Sequence, residues 1–529
     1  MKNSSNDTSG NFVVEFLLKT ETWHEHRIDK IMNILTDYYR QKQRFLLAKY
    51  NEYLATTEEG KTLTETIKER ESVFSNASST EEDKKTVCNK VNTARKAFHE
   101  YLKTIKYKTS NYGFFSSLGC EMHFANKDFS KSATKKMMSE HGINSKMIQY
   151  LAQCAGSAWE KKLNTNNKDI NIDVYKSVDI FKSRLSGKFV IGFRYSADDH
   201  SITTTDIKSK NNTPMTIKFV VDKNSVYEKE ALKNEVRNIA IVRKQIRGKN
   251  KYYVQFTFTG HPYNKGRNIG SGTGAIDPSP SKKTTLYSSD KGVCQRLSLA
   301  LDVSEDEKKL SRLLRKMDRS RRANNSDNYN TDGTIKKQKK LVWKKSENYK
   351  KTEAEYADIR RKFAAKRKIN HNIIANELIA MFNVIKVEKN SYKSMQARCK
   401  ETKKNKNGKF LSKRRYGKSI MNNAPAMLFT IIENKLGHYS TGRYVEVPSG
   451  TGCTQYDFTN SEFTKHPVNE RTITTSDGHI HDRDAIAAFN IYHSKETTRK
   501  RAIKNKDNFD NDAMKADYER FRVLEANLL

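Results

Sequence analysis

Three acidic residues in the second half of the chain have the sequence surroundings of metal ligands. Asp277 ends the run Gly-Ala-Ile-Asp, Glu388 ends Val-Ile-Lys-Val-Glu, and Asp484 begins Asp-Ala-Ile-Ala-Ala. Carboxylate oxygens are the hard ligands that Mg2+ prefers. Two such ions, held by acids from distant strands, can activate water and stabilise the leaving oxygen in phosphodiester hydrolysis. The three acids therefore predict one split metal site.

Each acid also has a purely structural interpretation. An aspartate after an apolar strand is often a turn or cap residue, so Asp277 by itself is weak support for chemistry. Glu388 is the strongest of the three, because an acid at the end of a buried strand would be costly without a cation or another partner. Either Asp482 or Asp484 could cap the helix that follows them. The order and context of the three acids together favour the metal site.

The first half of the chain predicts helices followed by strands. Residues 11–19 look like a strand, and apolar residues at helical spacing over 23–53 open a helical region that continues to about residue 164. From about residue 174 the apolar period changes to two, which predicts several strands. The last two of these flank a basic hairpin tip at 247–250. We expect a small barrel or sandwich here, closed by the N-terminal strand.

The segments around the three acids predict an α/β unit. A glycine-rich link at 270–274 introduces three consecutive strands, of which the first ends in Asp277, as at the opening of an RNase H-like fold. Two long, strongly basic helices then precede the strand that ends in Glu388. The expected elements after the first strand are strands over 284–288 and 293–301, helices over 305–322 and 337–375 around a polar loop at 324–334, a basic arm over 400–418, a helix over 424–436, a strand over 444–447, a polar insertion over 449–478, a helix from about Asp484, and a charged tail after Lys495.

The charge balance points to a polyanionic partner. The chain has 529 residues, with 99 Lys and Arg against 61 Asp and Glu, a formal net charge of +38 and a pI near 9.7. Each neutralised phosphate releases condensed counterions, so nucleic acid is the expected partner. No apolar run approaches the roughly 20 residues of a membrane span, and the 6 cysteines form no Cys-x-x-Cys pair. We expect a cytoplasmic protein, associated with the nucleoid when engaged, with no membrane partner.

These motifs resemble the RuvC nuclease domain of transposon-encoded TnpB proteins and their descendants, the type V CRISPR effectors. The resemblance spans residues 274–491. It rests on Gly-x-Ile-Asp-Pro at 274–278, the basic helical hairpin, Val-Ile-x-Val-Glu at 384–388, and Asp-Arg-Asp-x-x-Ala-Ala-x-Asn-Ile at 482–491. The catalytic acid of the family's last motif corresponds to Asp484.

The resemblance implies a multidomain α+β protein that acts on nucleic acid. The implied parts are a wedge-like β-barrel (1–20 and 170–268), a helical recognition lobe inserted in it (21–169), an RNase H-like RuvC nuclease domain (269–448 and 479–495) with a basic helical hairpin (303–375), a target-strand-loading insertion (449–478), and a charged tail (496–529). The implied function is RNA-guided DNA endonuclease. Asp277, Glu388 and Asp484 would be catalytic and would hold two Mg2+ ions, for which Mn2+ can substitute. Guide RNA and target DNA are the implied partners.

Two features depart from the family pattern. Position 486 is Ile where the family has Asn, although all three acids are present. The family's zinc ribbon of two Cys-x-x-Cys pairs falls here on a single thiol and three other residues, Cys453, Tyr456, Thr474 and Asp477. Structural zinc needs four N, S or O ligands. An unusual alternative set would be Cys453, His466, His479 and His481. We expect a metal-free β finger and no zinc site.

Several alternatives stay open at this point. The same acids could serve an unguided structure-selective nuclease or a DNA transposase, and a nuclease-inactive RNA-guided binding protein is the alternative from another class. The guide could be a crRNA or a transposon-derived RNA, and a homodimer is neither required nor excluded. Tyr112, Phe114 and Phe115 could stack on bases or lie in a core. The basic helices over 305–368 could bind a nucleic acid backbone or present a solvated face.

Overall fold

The computed structural model divides the chain into two units, Met1–Tyr263 and Asn264–Leu529. The residues it describes are 10–76, 79–104, 154, 180–186, 189–190, 193–208, 214–263, 268–280, 283–300, 307–331, 333, 335–336, 341–397, 416–467, 470–497, 502–526 and 528. The helix expected over 132–162, apart from Cys154, lies outside these residues, as do the aromatic residues at 112–115 and most of the basic arm. Within them, no helix is long and apolar enough to cross a membrane.

The first unit begins with a strand and three helices, as its periodicity predicts. The strand is β1 (Asn11–Lys19), and the helices are α1 (Thr22–Thr56), α2 (Glu58–Ser75) and α3 (Glu81–Thr104). On α1, Ile28, Ile31 and Leu35 recur at helical spacing and are buried in one core with the alternate residues of β1. Farther along, the ring of Phe98 on α3 packs 5.2 Å from that of Tyr53 on α1.

Eight strands of the first unit form one antiparallel sheet in the order β3-β2-β7-β8-β1-β6-β5-β4. The strands after β1 are β2 (Ile180–Ser186), β3 (Phe189–Val190), β4 (Phe193–Ser196), β5 (Ser201–Lys208), β6 (Pro214–Val220), β7 (Val236–Ile246) and β8 (Lys249–Thr259), with the short helix α4 (Val226–Leu232) between β6 and β7. The predicted basic hairpin tip is confirmed. Arg247 and Gly248 have φ values of 51° and 76°, as a two-residue turn of type I′ requires.

The closed barrel that the sequence predicts is not seen in the described strands. Their sheet has β3 and β4 at its edges, and no pairing joins those two strands. β1 does not close the sheet from outside but lies in its interior, because one of its edges pairs with β8 over residues 11–17 and the other with β6 over 17–19. The class that the structure supports is therefore a mixed α+β fold with an open sheet.

The second unit is built on a five-stranded sheet in the order β11-β10-β9-β12-β13. Its strands are β9 (Thr273–Asp277), β10 (Lys283–Ser288), β11 (Val293–Ser298), β12 (Val384–Glu388) and β13 (Arg443–Val447). The first three run antiparallel to one another, as expected from their short connections. β12 runs parallel to both β9 and β13, because helices connect these strands.

Helices cover both faces of this sheet. The described helices of the second unit are α5 (Glu307–Asn324), α6 (Glu347–Met381), α7 (Tyr392–Met395), α8 (Gly417–Asn423), α9 (Pro425–Leu436), α10 (Arg483–Tyr492) and α11 (Asn511–Glu525). On one face, Ile276 and Val387 pack with apolar residues of α6 and α9. On the other, Ala275 and Tyr287 pack with α10 and α11. Successive strand residues therefore face different helical layers.

Two boundaries differ from the sequence expectation. The second basic helix begins at Glu347 and not at 337, because the side chain of Ser346 caps it by accepting a hydrogen bond from the Tyr349 amide. The segment expected to be a charged tail contains the helix α11, whose Met514 and Phe521 are fully buried. These apolar residues recur once every two turns and give the charged sequence one buried face.

The insertion forms two small sheets, β14 (Tyr456–Asp457) with β15 (Glu462–Phe463) and β16 (Thr472–Thr474) with β17 (Ile480–Asp482).

Gly270→Ala is expected to destabilise the second unit by about 2 kcal/mol, a typical cost of a steric clash in a packed structure. The Gly270 amide donates to the Ile379 carbonyl at 2.8 Å, and a Cβ at this position would lie 2.3 Å from the carbonyl carbon of Met381. Backbone atoms of a long helix cannot move aside cheaply. Thermal and urea unfolding measure the loss. Gly437→Ala is the matched control, because its Cβ would meet nothing closer than 3.5 Å, and an equal loss in both variants would contradict the steric explanation.

Candidate metal centre

Asp277 and Glu388 end two neighbouring parallel strands at the same level. The register of β9 with β12 runs to Ile276 opposite Val387, so each acid is the next residue of its strand. Beyond the acids the chain segments stay together, since the side-chain amide of Asn390 donates to the Pro278 carbonyl at 2.9 Å. The carboxyl ends of parallel strands are the usual place for a ligand site in an α/β sheet.

Both acids lie on the sheet face that α10 covers. Ile276 and Val387, the residues directly before them, belong to the core on the opposite face, where α6 and α9 pack. Side chains alternate along a strand, so Asp277 and Glu388 are directed to the α10 side. Helix α10 contacts β9, β10 and β12 on that side. The strand alternation thereby places two acids beneath the helix that carries the third.

The structure resolves which aspartate caps α10. The carboxylate of Asp482 accepts hydrogen bonds from the amides of Asp484 and Ala485, at 3.1 and 3.0 Å. It also forms an ion pair with Arg296. Asp482 is therefore the N-cap residue. Asp484 lies in the first turn of the helix, where its carboxylate is not needed for capping.

Burial raises the pKa of Asp277 and of Glu388. Asp277 is 6% exposed, and its pKa is raised well above the ordinary value, first by burial and then by the negative charges of Asp484 and Glu388. The charge of Arg483 opposes this shift. Burial also raises the pKa of Glu388 to about 7. The charges of both other acids thus contribute to the raised pKa of Asp277.

Asp484 is held by two arginines. Its Oδ1 accepts from the Arg483 guanidinium at 2.8 Å, and its Oδ2 lies 3.5 Å from Arg471. Among the residues that the structure describes, no three His, Cys, Asp or Glu side chains are close enough together to hold a metal ion. In this arrangement the three acids do not form a ready coordination shell.

The chemistry of the cluster nevertheless fits a divalent cation bound by Asp277, Glu388 and Asp484. All three offer hard carboxylate oxygens, and a cation would relieve the repulsion that raises the Asp277 pKa. A further sign is the hydroxyl of Tyr392, which is buried and has no hydrogen-bond partner among the described residues. The pKa of Tyr392 is raised by burial and then by the charge of Asp277. An unpartnered buried hydroxyl beside a carboxylate cluster leaves one polar position for a ligand or water.

Sequence reasoning missed two residues that support the site, Arg296 and Lys386. Arg296 pairs with the N-cap residue Asp482. Lys386 donates to the carbonyls of Tyr492 and Ser494 at the C-terminal end of α10, both at 2.8 Å, and burial lowers its pKa. A lysine inside the apolar strand, two residues before Glu388 and hence on the same face, was the available signal for Lys386. Nothing near Arg296 in the sequence indicates its partner.

The four residues considered for zinc have separate surroundings. Cys453 is fully buried in the apolar core with Tyr456 and Phe458. The ring of His481 is bound by Glu525 and Tyr518, and His466 lies 3.7 Å from Glu470. His479 instead stacks near Tyr518, with 6.3 Å between ring centroids. The first polar partners of these imidazoles are thus carboxylates and a phenol.

The comparisons with known proteins return solved structures alone. No family model and no curated protein matches the sequence. The chain is similar to the protein of a Cas12f1-sgRNA-target DNA complex, at 12% identity and TM-score 0.43, covering 93% of this chain and 100% of that one. It is also similar to a CRISPR-Cas12f ternary complex (13%, TM-score 0.25, 92% and 100%) and to a Cas12i1 R-loop complex (11%, TM-score 0.28, 96% and 65%). These neighbours are type V CRISPR effectors, the family that the sequence motifs resemble.

Glu388→Gln is expected to stabilise the protein at pH 8 in the presence of a chelator. Burial raises the pKa of Glu388 from 4.5 to about 7, so the ionised form is less favourable in the folded chain than in the unfolded one. The free energy of unfolding of the wild type therefore falls as pH rises from about 4.5 to about 7. An uncharged amide avoids this loss, which would be about 3 kcal/mol for a fully buried acid and is expected to be about 2 kcal/mol here because solvent screens the half-buried side chain. Unfolding curves recorded from pH 4.5 to pH 8 measure it.

The control for this prediction is Glu446→Gln on the adjacent strand β13. Glu446 is 49% exposed and ion-paired with Lys389, so its neutralisation should leave the pH dependence of stability unchanged. If the difference between Glu388→Gln and the wild type did not grow with pH, Glu388 would not be the buried, destabilised acid described here.

Proposed function

We propose that the chain is an RNA-guided DNA endonuclease that hydrolyses target DNA in a RuvC-type site. The observation that supports this best is the placement of Asp277 and Glu388 at adjacent ends of parallel strands, beneath the helix that bears Asp484. The sheet order β11-β10-β9-β12-β13, with three antiparallel strands followed by two parallel ones, is consistent with an RNase H-like unit. The acids lie at the positions that the motif resemblance assigns to catalysis.

Asp277, Glu388 and Asp484 would hold two Mg2+ ions, which supply water activation and charge stabilisation for phosphodiester hydrolysis. The protein's own contribution is to keep Asp277 buried and Glu388 half-buried, where their charge attracts a cation more strongly than in bulk water. Arg471 and Arg483 pair with Asp484 and offset its charge. Glu388, with a pKa of about 7, must lose its proton before its carboxylate can serve as a ligand.

Basic surfaces in the second unit supply the attraction for nucleic acid. Helix α5 carries eight basic and two acidic residues within Glu307–Asn324. Its apolar residues Leu310 and Leu313 are buried against Phe363 of α6, so that Arg312, Arg315 and Lys316 are left exposed. A row of exposed cations on a rigid helix neutralises successive phosphates of a polynucleotide. We assign this surface to the guide RNA or to its duplex with target DNA.

The first unit would hold and position the guide and target. Its eight-stranded sheet corresponds in this proposal to the wedge domain, and the helices between β1 and β2 correspond to the recognition lobe. The strand β1, which precedes those helices in sequence, pairs with strands that follow them. A helical segment inserted between paired strands is the chain order that the proposal requires. Sequence selection would come from base pairing of the guide, with protein contacts to backbone shape.

The guided function predicts that the full chain, expressed with its neighbouring DNA, copurifies with a defined RNA. Sequencing of the bound RNA identifies the guide, and a DNA substrate matched to it should be cut when Mg2+ is present, whereas an unmatched substrate should not. Protein that is free of RNA and cuts DNA at its full rate would instead identify an unguided nuclease. Binding of matched DNA without cutting would identify a targeting protein without nuclease activity.

Replacement of single site acids is expected to abolish cutting and preserve DNA binding. Asp277→Asn, Glu388→Gln and Asp484→Asn should each lower the cleavage rate by about 1,000-fold, because loss of metal-derived stabilisation costs several kcal/mol and each 1.36 kcal/mol is a factor of ten. The control Glu446→Gln lies one strand away and should cut normally. Cleavage and equilibrium binding are measured on the same matched DNA. Full activity of the Asp484→Asn protein would remove that residue from the site.

A further inference from the structure

We propose that the C-terminal helix α11 positions the acid Asp484 by holding both ends of α10, with Glu525 and Asp517 as its positioning residues. This inference rests on the proposed function in so far as it treats Asp484 as a metal ligand. Neither residue touches the three acids; both act through the chain segments next to α10. From the sequence alone, this segment is expected to be a charged tail, and no role is assigned to it.

Glu525 is buried beside the N-terminal end of α10. It is 1% exposed, as is His481, and its Oε2 lies 2.7 Å from His481 Nδ1. Its other oxygen, Oε1, accepts a hydrogen bond from the backbone amide of Asp482. On the far side of the imidazole, Nε2 lies 2.8 Å from the hydroxyl of Tyr518, about two helical turns before Glu525 on α11. One carboxylate of α11 therefore fixes two consecutive residues of the chain.

Those two residues lead directly to Asp484. Asp482, whose amide is bound by Glu525, is the N-cap of α10, and its carboxylate in turn accepts from the amide of Asp484. The position of the N-cap sets where the first turn begins and in which direction each first-turn side chain points. With 3.6 residues per turn, a slip of one residue would rotate Asp484 by about 100° away from the strand acids. Glu525 acts against such a slip.

Asp517 holds the opposite end of α10 in the same way. Its Oδ2 lies 3.0 Å from Nε2 of His493, the residue that follows the helix, and 2.5 Å from the hydroxyl of Tyr287 on β10. Its Oδ1 accepts from Ser289 at 2.5 Å. Asp517 thereby ties the end of α10 to the strand next to β9, which carries Asp277.

Apolar contact between α10 and α11 supplies adhesion but little directional control. The ring of Phe521 lies 4.6 Å from that of Phe489 and 5.5 Å from that of Tyr287, measured between centroids. Such contacts tolerate small sliding movements. Buried ionic pairs add little net stability because of the cost of desolvation, yet they demand one geometry. Two buried carboxylates at the two ends of one helix are therefore better explained as positional constraints than as sources of stability.

The test compares Glu525→Gln with Glu519→Gln in the full chain. Glu519 lies on the same helix, is 79% exposed and pairs with Arg522, so its variant controls for the substitution itself. Hydrogen exchange of the amides at 480–485 should become about tenfold faster in Glu525→Gln, because Gln has a single acceptor oxygen and cannot replace both carboxylate contacts, to the Asp482 amide and to the His481 ring. Asp517→Asn should accelerate exchange at 490–495 and leave 480–485 nearly unchanged. Glu519→Gln should match the wild type throughout.

A second measurement links the helix to the metal site. Binding of Mn2+ to the protein, followed by the electron paramagnetic resonance of the free ion, should weaken about tenfold in Glu525→Gln, the lower range for loss of a group that orients a ligand. Unchanged Mn2+ binding, or exchange at 480–485 equal to that of Glu519→Gln, would overturn the proposal. If Glu525→Gln does not fold, Tyr518→Phe removes one partner of His481 and is judged by the same two readouts. If the wild type binds no Mn2+, the proposed nuclease function fails, and the exchange data alone decide whether α11 positions α10.

Discussion

Two acids side by side at the ends of parallel strands, the buried Asp277 and the half-buried Glu388, are the constraint on which the second unit depends. Asp277 and Glu388 cannot turn to solvent, because the residues before them, Ile276 and Val387, are fixed in the core on the opposite face of the sheet. Burial raises the pKa of both acids, and the charges of Asp484 and Glu388 raise that of Asp277 further. Keeping two such acids close together lowers the stability of the folded chain at neutral pH. Acids with perturbed pKa values concentrate at functional sites.

The helix that bears the third acid is held from several directions. Its N-terminal end is capped by Asp482, which is bound by Arg296. At its C-terminal end, the carbonyls of Tyr492 and Ser494 accept hydrogen bonds from Lys386, which lies on the same strand as Glu388. The strand β12 therefore helps to position both Glu388, which it carries, and Asp484, whose helix it holds through Lys386. Small side chains at Ala485 and Ala488, both fully buried, let the helix approach the sheet closely.

Opposite charges serve opposite purposes in this chain. The formal net charge of +38 attracts polyanions over the whole surface, and the exposed arginines of α5 concentrate that attraction on one helix face. The acidic cluster is a local exception that would repel a phosphate unless cations intervene. In the proposed function, arginine and lysine would bind the polynucleotide, and metal ions would stand between its phosphates and the carboxylates of the acidic cluster.

The amino-acid sequence is sufficient to predict many of the local helices and strands and to single out the three candidate acids. Alternating apolar residues predicted β1, β12 and β13, helical spacing predicted α1, and the acid at the end of each apolar run marked the strand edge, because these patterns depend on neighbours close in sequence. Other features are visible only in the folded chain. β1 lies inside an open sheet, and Asp482 and not Asp484 caps α10. The charged C-terminal segment buries Glu525 beside His481. These outcomes depend on partners tens to hundreds of residues apart, such as Arg296 with Asp482, and no local period of the chain encodes which distant residue a buried charge will meet.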